Sequence, residues 1–210
     1  WLGLLGVIAF ALTLPMIKLA LPYMDALFIA FGRVFLAALV AGFILFFMNI
    51  KRPSLQQFKK LFLVMIGCVI GFPVLTSWAL QYVSASHGGV VLAISPLATA
   101  LVGVIIGDER PGLAFWGLSI LGAVLVIFYA LQNGSGSIHI ADLALLAAVL
   151  FASVGYAVGG ELSKELGGWQ VICWAVLLGL PFVILPAWSL VPVSFSDIPY
   201  SALAAFLYLA

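Results

Sequence analysis

The sequence predicts an all-α, polytopic membrane protein, and three observations lead to this fold class. Hydrophobic residues fill 66% of the 210 positions and charged residues only 7%, whereas a soluble domain carries roughly 25% charged residues. The apolar stretches reach about 20 residues, the length that an α-helix needs to cross the hydrocarbon core. They are continuously apolar rather than alternating, so they favour helices over membrane strands.

Seven segments have the length of a complete transmembrane helix, and a truncated eighth follows them. The seven cover residues 2–21, 26–48, 61–80, 88–107, 112–131, 143–162 and 169–190, and the eighth begins near residue 199. Lipid offers no hydrogen bonds, so each segment must satisfy its own backbone as a helix. Both chain ends lie inside apolar runs, so we expect a part of a longer protein.

A flexible Gly/Ser linker, residues 132–140, separates the fifth segment from the sixth. Sliding the chain by 141 positions aligns, among others, Phe10 with Phe151 and Leu21 with Leu162. An odd number of helices per unit makes the sixth helix enter from the side opposite to the first. We therefore expect inverted five-helix repeats, with residues 1–131 as the first repeat and residues 141–210 as the start of the second.

The positive charges predict the orientation, because Lys and Arg prefer cytoplasmic loops. If helix one starts in the cytoplasm, every loop-borne Lys and Arg falls on the inner side. These residues are Lys51, Arg52, Lys59, Lys60, Arg110 and Lys164. We expect a multi-pass protein of the cell (inner or plasma) membrane, with the N-terminal side of helix one in the cytoplasm.

Helices three and four carry a recognisable series of short motifs. Residues 71–85 read GFPVLTSWALQYVSA, residues 92–101 read LAISPLATAL, and residues 107–110 read GDER. The series resembles the drug/metabolite transporter superfamily and, within it, the paired five-helix EamA repeats, with their landmarks AL-x-Y-x-SA, L-x-P-x-x-TAL and GER. Asp108 is an extra residue in the last landmark. The resemblance covers residues 1–131 and, more loosely, 139–210; it implies ten helices in the whole protein and the transport of amino acids, other metabolites or drugs.

Two cations inside the apolar segments are candidates for a functional role, because an ionisable group in a membrane costs about 2.5–3.5 kcal/mol. Arg33 lies eight residues past Asp25, roughly 12 Å along helix two. Its side chain either faces the bundle interior and binds an anionic group or snorkels to the outer headgroups. Lys18 is nearer to its helix end, where snorkelling is favoured. No Asp or Glu lies mid-segment, which favours a neutral or zwitterionic solute over proton exchange for cationic drugs.

Neutral polar and aromatic side chains on three helices are candidates to line a solute path. They are Trp78, Gln81 and Tyr82 in helix three, His87, Ser95, Pro96 and Thr99 at helix four, and Ser153 and Tyr156 in helix six. Spacings of three or four residues put members of a group on one helix face. Pro96 also frees the Leu92 carbonyl, which predicts a kink and a carbonyl facing the cavity. The alternatives are interface anchoring for the aromatic rings and bonds within the helices for the hydroxyls.

Small residues predict where helices approach closely. Gly67 and Gly71, Gly103 and Gly107, and Gly155 and Gly159 form three Gly-x-x-x-Gly pairs. Such pairs let two backbones come together, and we expect them at seams within one chain.

The favoured function is a secondary transporter, an exporter or exchanger of small metabolites such as amino acids that works by alternating access between its repeats. Its partners are then a small-molecule solute and the lipid bilayer, with a homo-oligomer left open; neither nucleic acid, a cofactor nor a metal is expected. One alternative is an intramembrane enzyme, which needs a nucleophile beside a base, yet His87 and His139 both lie at the outer boundary. The other is a seven-helix receptor, which the very short loops oppose.

Overall fold

Every regular element that the computed structural model describes, in residues 2–106, 111–133, 140–192 and 197–210, is helical. The elements are α1 (Leu2–Ala11), α2 (Thr13–Ala20), α3 (Ala26–Phe47), α4 (Leu55–Val64), a π-helical segment (Met65–Gly71), α5 (Phe72–Ala79), α6 (Ala85–Leu92), α7 (Ser95–Ile106), α8 (Leu113–Asn133), α9 (Ile140–Leu166), α10 (Gly168–Ser189) and α11 (Tyr200–Leu209). Residues 134–139, most of the predicted linker, lie outside the described residues.

Five helical runs in the described part of the chain are long and apolar enough to cross a bilayer. They are Ala26–Phe47, Leu55–Ala79, Ala85–Ile106, Ile140–Leu166 and Gly168–Ser189. Shorter apolar helices occupy the other three predicted places, at Leu4–Ala20, Leu113–Leu125 and Tyr200–Leu209. The chain is thus a multi-pass membrane protein, while the count of seven complete spans and a truncated eighth stays a prediction.

Prolines break two of the predicted spans. The first divides at Leu12 into α1 and α2, since Pro15 has no N–H to offer the carbonyl of Ala11. The fourth is interrupted at Ala93 and Ile94, between α6 and α7 and just before Pro96, while the kink itself stays a prediction. The free carbonyl expected there is not present, because Ser95 Oγ donates a hydrogen bond of 2.6 Å to the Leu92 oxygen.

The third span begins earlier than its hydropathy suggests. Ser54 caps α4 with its hydroxyl, which accepts from the Gln57 N–H at 3.4 Å, while Gln57 Oε1 accepts from the Ser54 N–H at 2.9 Å. This reciprocal capping box starts the helix at Leu55, within the polar stretch that the sequence assigns to a loop. The run then continues through the π-helical segment into α5.

The central helix of the bundle is α9, which packs against α4, the π-helical segment, α5, α6, α7 and α10. One apolar core surrounds its beginning at Leu145, and a second surrounds its end at Leu162. We call the end of the bundle where α6 and α9 begin the His87 end. The opposite end, where α4 begins and α9 finishes, is the Lys60 end.

A glycine seam joins the π-helical segment to α9. A Cβ atom on Gly67 would overlap the backbone oxygen of Phe151, and one on Gly155 would overlap Cys68 Sγ. At Gly71 the added atom would lie 2.7 Å from the Phe151 ring. The expectation of a seam within one chain is confirmed at Gly67, Gly71 and Gly155, whereas Gly159 has ordinary contacts and Gly107 lies outside the described residues.

Candidate functional site

A cleft of about 750 Å³ opens between α7, the beginning of α8 and α9. Ser95, Pro96 and Thr99 of α7 line it, together with Phe115 of α8 and Tyr156 of α9. Four of these five residues are candidates from the sequence, and Phe115 is not. The volume lies in the range of small-molecule sites, and the lining combines apolar surface with a few polar groups, as such sites do.

The polar wall of the cleft connects α7 to α9. Thr99 Oγ1 donates to Ser153 Oγ at 3.3 Å, and Ser153 is fully buried. The hydroxyl of Ser95 is already engaged with the Leu92 carbonyl in its own helix. The Thr99 hydroxyl therefore joins α7 to α9 at the cleft, and Ser153 lies behind it.

Arg33 of α3 is close to one residue of the cleft, although it does not line the cleft itself. That residue is Tyr156 of α9, which is 42% exposed and lies within electrostatic range of Arg33 and of Cys68 in the π-helical segment. Ile29, one turn before Arg33, is fully buried, and Leu36, one turn after it, packs against the apolar core. This face of α3 therefore points into the bundle at the level of Arg33.

The aromatic group expected on helix three lies at the His87 end, away from the lining of the cleft. The Trp78 and Tyr82 ring centroids are 5.0 Å apart, and Gln81 Nε2 donates to the Trp78 carbonyl at 3.4 Å. α5 ends at Ala79 and Gln81 and Tyr82 follow in a turn, yet the three side chains still lie next to one another. Gln81 and Tyr82 are exposed.

His87 binds a carboxylate that sequence reasoning missed. Its Nε2 lies 2.5 Å from Asp142 Oδ1 in the first turn of α9, and the aspartate side chain is only 16% exposed. Ser84 caps α6 by accepting from the His87 N–H at 3.1 Å. The predicted topology contained the signal, since it starts helices four and six on the same side of the membrane.

A second polar contact ties α4 to α9 at the Lys60 end. Lys60 Nζ lies 3.2 Å from Glu161 Oε1 and 3.8 Å from Glu165 Oε1. Gln57 Nε2 donates to Glu165 Oε2 at 2.9 Å. α9 is thus held by polar side chains at both of its ends, and no sequence motif predicted these contacts.

The remaining candidate, Lys18, is half-buried in the last turn of α2 and does not line the cleft. Among the described residues, no three His, Cys, Asp or Glu side chains come together to hold a metal ion.

Comparison with known proteins gives a family and two relatives. Residues 1–136 match the EamA-like transporter family. The chain is 39% identical over 208 residues to the "Uncharacterized transporter YdeK" of Bacillus subtilis, covering 99% of this chain and 72% of that protein. It is 23% identical over 212 residues to the "Probable terminal-alkyne amino-acid exporter" of Streptantibioticus cattleyicolor, covering 100% of this chain and 70% of that protein. No solved structure matches the chain.

Proposed function

Because this chain belongs to the EamA-like transporter family, we propose that it is a secondary transporter that exports or exchanges small metabolites, such as amino acids, by alternating access. The family and the names of its relatives indicate a transporter rather than an enzyme. One relative is named as a probable amino-acid exporter, which supports this class of solute.

The observation that carries the proposal is the cleft between α7 and α9. In the proposed arrangement α7 belongs to the first repeat, residues 1–131, and α9 opens the second, residues 141–210. Transporters built from inverted repeats bind their solute at the interface between the repeats. We assign Ser95, Pro96, Thr99, Ser153 and Tyr156 to the solute path.

The two polar ties of α9 support alternating access. His87–Asp142 at one end and Lys60–Glu161 at the other each join a helix of the first repeat to the second repeat. A carrier of this design opens at one end of the bundle while the tie at the other end stays formed. Trp78, Gln81 and Tyr82 then lie near the opening at the His87 end.

The distribution of charge supports an orientation for the proposed seven complete spans and the partial eighth. Lys60 and Lys164 lie at the Lys60 end, on α4 and in the last turn of α9. Arg52 follows α3 at the same end, close to Phe58 of α4. Since Lys and Arg prefer the cytoplasmic side, the Lys60 end faces the cytoplasm of an inner or plasma membrane. Lys18, in helix one, then lies toward the outer half.

A transport assay with the intact protein tests the proposal. The purified protein is reconstituted in liposomes, and counterflow is measured with a panel of radiolabelled amino acids. Thr99→Val keeps the side-chain shape but removes the hydroxyl at the cleft, and we expect counterflow to fall about tenfold. Ser163→Ala is the matched control, because Ser163 bonds only its own helix, at the Gly160 carbonyl.

Two results would contradict the proposal. If the wild-type protein moved no solute of the panel, the assignment to metabolite transport would be wrong. If Thr99→Val transported at the wild-type rate, the cleft would not be part of the solute path.

A further inference from the structure

Arg33 is a charged group for which the described residues offer no ion-pair partner. Among the described residues it forms no ion pair and no hydrogen bond. Arg33 lies eight residues past Asp25, the residue that caps α3, roughly 12 Å along the helix. A lone guanidinium at this depth is destabilising, and buried charges in proteins are normally paired. The missing partner is therefore an anion that this part of the chain does not supply.

The surroundings of Arg33 place that anion beside the cleft. Ile29 and Leu36 on the same face of α3 are packed in the core, so the guanidinium side of the helix faces the bundle and not lipid. Tyr156, which lines the cleft, lies within electrostatic range of Arg33. A molecule in the cleft can thus touch Tyr156 with one end and extend that end toward Arg33.

We infer that Arg33 and Tyr156 bind a carboxylate of the transported solute, an inference that rests on the function proposed above. A guanidinium offers a planar fork of N–H donors that matches two carboxylate oxygens, and the phenol of Tyr156 donates a further hydrogen bond. The remainder of the solute lies along Thr99 and the apolar surfaces of Pro96 and Phe115. The solute class is thus a monocarboxylate or amino acid with an apolar side chain, and not a cationic drug.

The test compares each amino acid with its amide, which lacks the carboxylate but keeps the amino group. The intact protein is reconstituted in liposomes of neutral phosphatidylcholine, and counterflow is measured for apolar amino acids such as leucine beside the corresponding amide, leucinamide. We expect the wild-type protein to prefer the acid by about 10- to 100-fold, the range for a hydrogen bond to a charged group. Arg33→Gln should remove most of this preference. Arg33→Lys should restore part of it, since lysine keeps the charge without the fork.

Two further variants separate the role of Arg33 from a general effect of charge. Tyr156→Phe removes only a hydroxyl, and we expect the acid preference to fall about threefold to tenfold. Lys164→Gln is the charge-matched control, because Lys164 is exposed at the end of α9 and has no ion pair in the described residues. It should leave the preference unchanged.

Several outcomes would overturn the inference while the transport function stands. They are equal counterflow of acid and amide by the wild type, or an acid preference that survives Arg33→Gln. A defect of Arg33→Gln that appears only in liposomes with anionic lipid would identify a headgroup contact and overturn it as well. If Arg33→Gln does not purify as a monodisperse protein, Tyr156→Phe decides, and an unchanged preference then rejects the inference. A wild-type protein that transports nothing would overturn the proposed function and the inference together.

Discussion

The seam between the π-helical segment and α9 differs sharply from the attachment of α8. At the seam, glycines let two backbones touch, and a single added carbon at Gly67 has no room. In α8, none of the side chains that the structure describes is buried, and Leu113 and Leu118 are 91% and 71% exposed. A Cβ atom at Gly117 would meet nothing within 4 Å. The cleft lies between these two regions. Its wall on α9 is tightly packed, and its wall on α8 consists of largely exposed side chains.

The largest expected effect is that of Gly67→Ala. The new methyl group would overlap the backbone oxygen of Phe151, which cannot rotate away, so we expect the free energy of unfolding to fall by about 2–3 kcal/mol. Gly117→Ala is the control within α8, and we expect no loss there and a gain of up to about 1 kcal/mol from helix propensity. Unfolding in mild detergent, followed by circular dichroism, measures both. Equal losses for the two variants would contradict the contrast between the regions.

An intermediate effect is expected at the His87 end, where α6 packs between α8 and α9. The His87–Asp142 hydrogen bond has an aspartate that is only 16% exposed, and we expect it to contribute about 1.5–3 kcal/mol. A double-mutant cycle with His87→Ala and Asp142→Asn isolates this term from the other contacts of each residue. Strictly additive losses in unfolding free energy would show that the two side chains are not coupled.

The smallest effect is expected at the Lys60 end. Lys60 and Glu161 are 35% and 49% exposed, so water screens the pair and we expect Lys60→Gln to cost about 0.5 kcal/mol. High salt should remove most of this difference. Lys164→Gln, which breaks no ion pair in the described residues, is the control. A loss above that of the His87 variant would reverse the order of the two ties.

The fold class was predictable because each apolar run partitions from water into the membrane independently of the other helices. Hydropathy therefore locates α3, α9 and α10 to within a few residues, without knowledge of their partners. The start of α4 was missed, although the capping-box pattern from Ser54 to Gln57 was readable in the sequence. The termination of α5 at Ala79 had no such signal, and so the turn that contains Gln81 and Tyr82 was not predicted.

The candidate site was only partly predictable. Arg33 stands out because of its cost in a membrane, and Thr99 and Tyr156 because they are polar groups in apolar helices. The common location of Thr99 and Tyr156 at the cleft depends on which faces of α7 and α9 meet. The way in which these faces meet is set by side-chain packing and by Gly67 and Gly155, whose contacts join residues far apart in sequence. The pairing of His87 with Asp142 could not be predicted for the same reason, because the two residues lie 55 positions apart in sequence.

The π-helical segment changes how its span has to be counted. A π turn bonds each residue to the fifth along and takes in about one residue more than an α turn, which amounts to a phase shift of roughly 100°. The faces of α4 and of α5 therefore do not follow a single 3.6-residue rhythm. A helical wheel drawn straight through Leu55–Ala79 would put Leu61 and Thr76, both buried, at angles that the folded chain does not have.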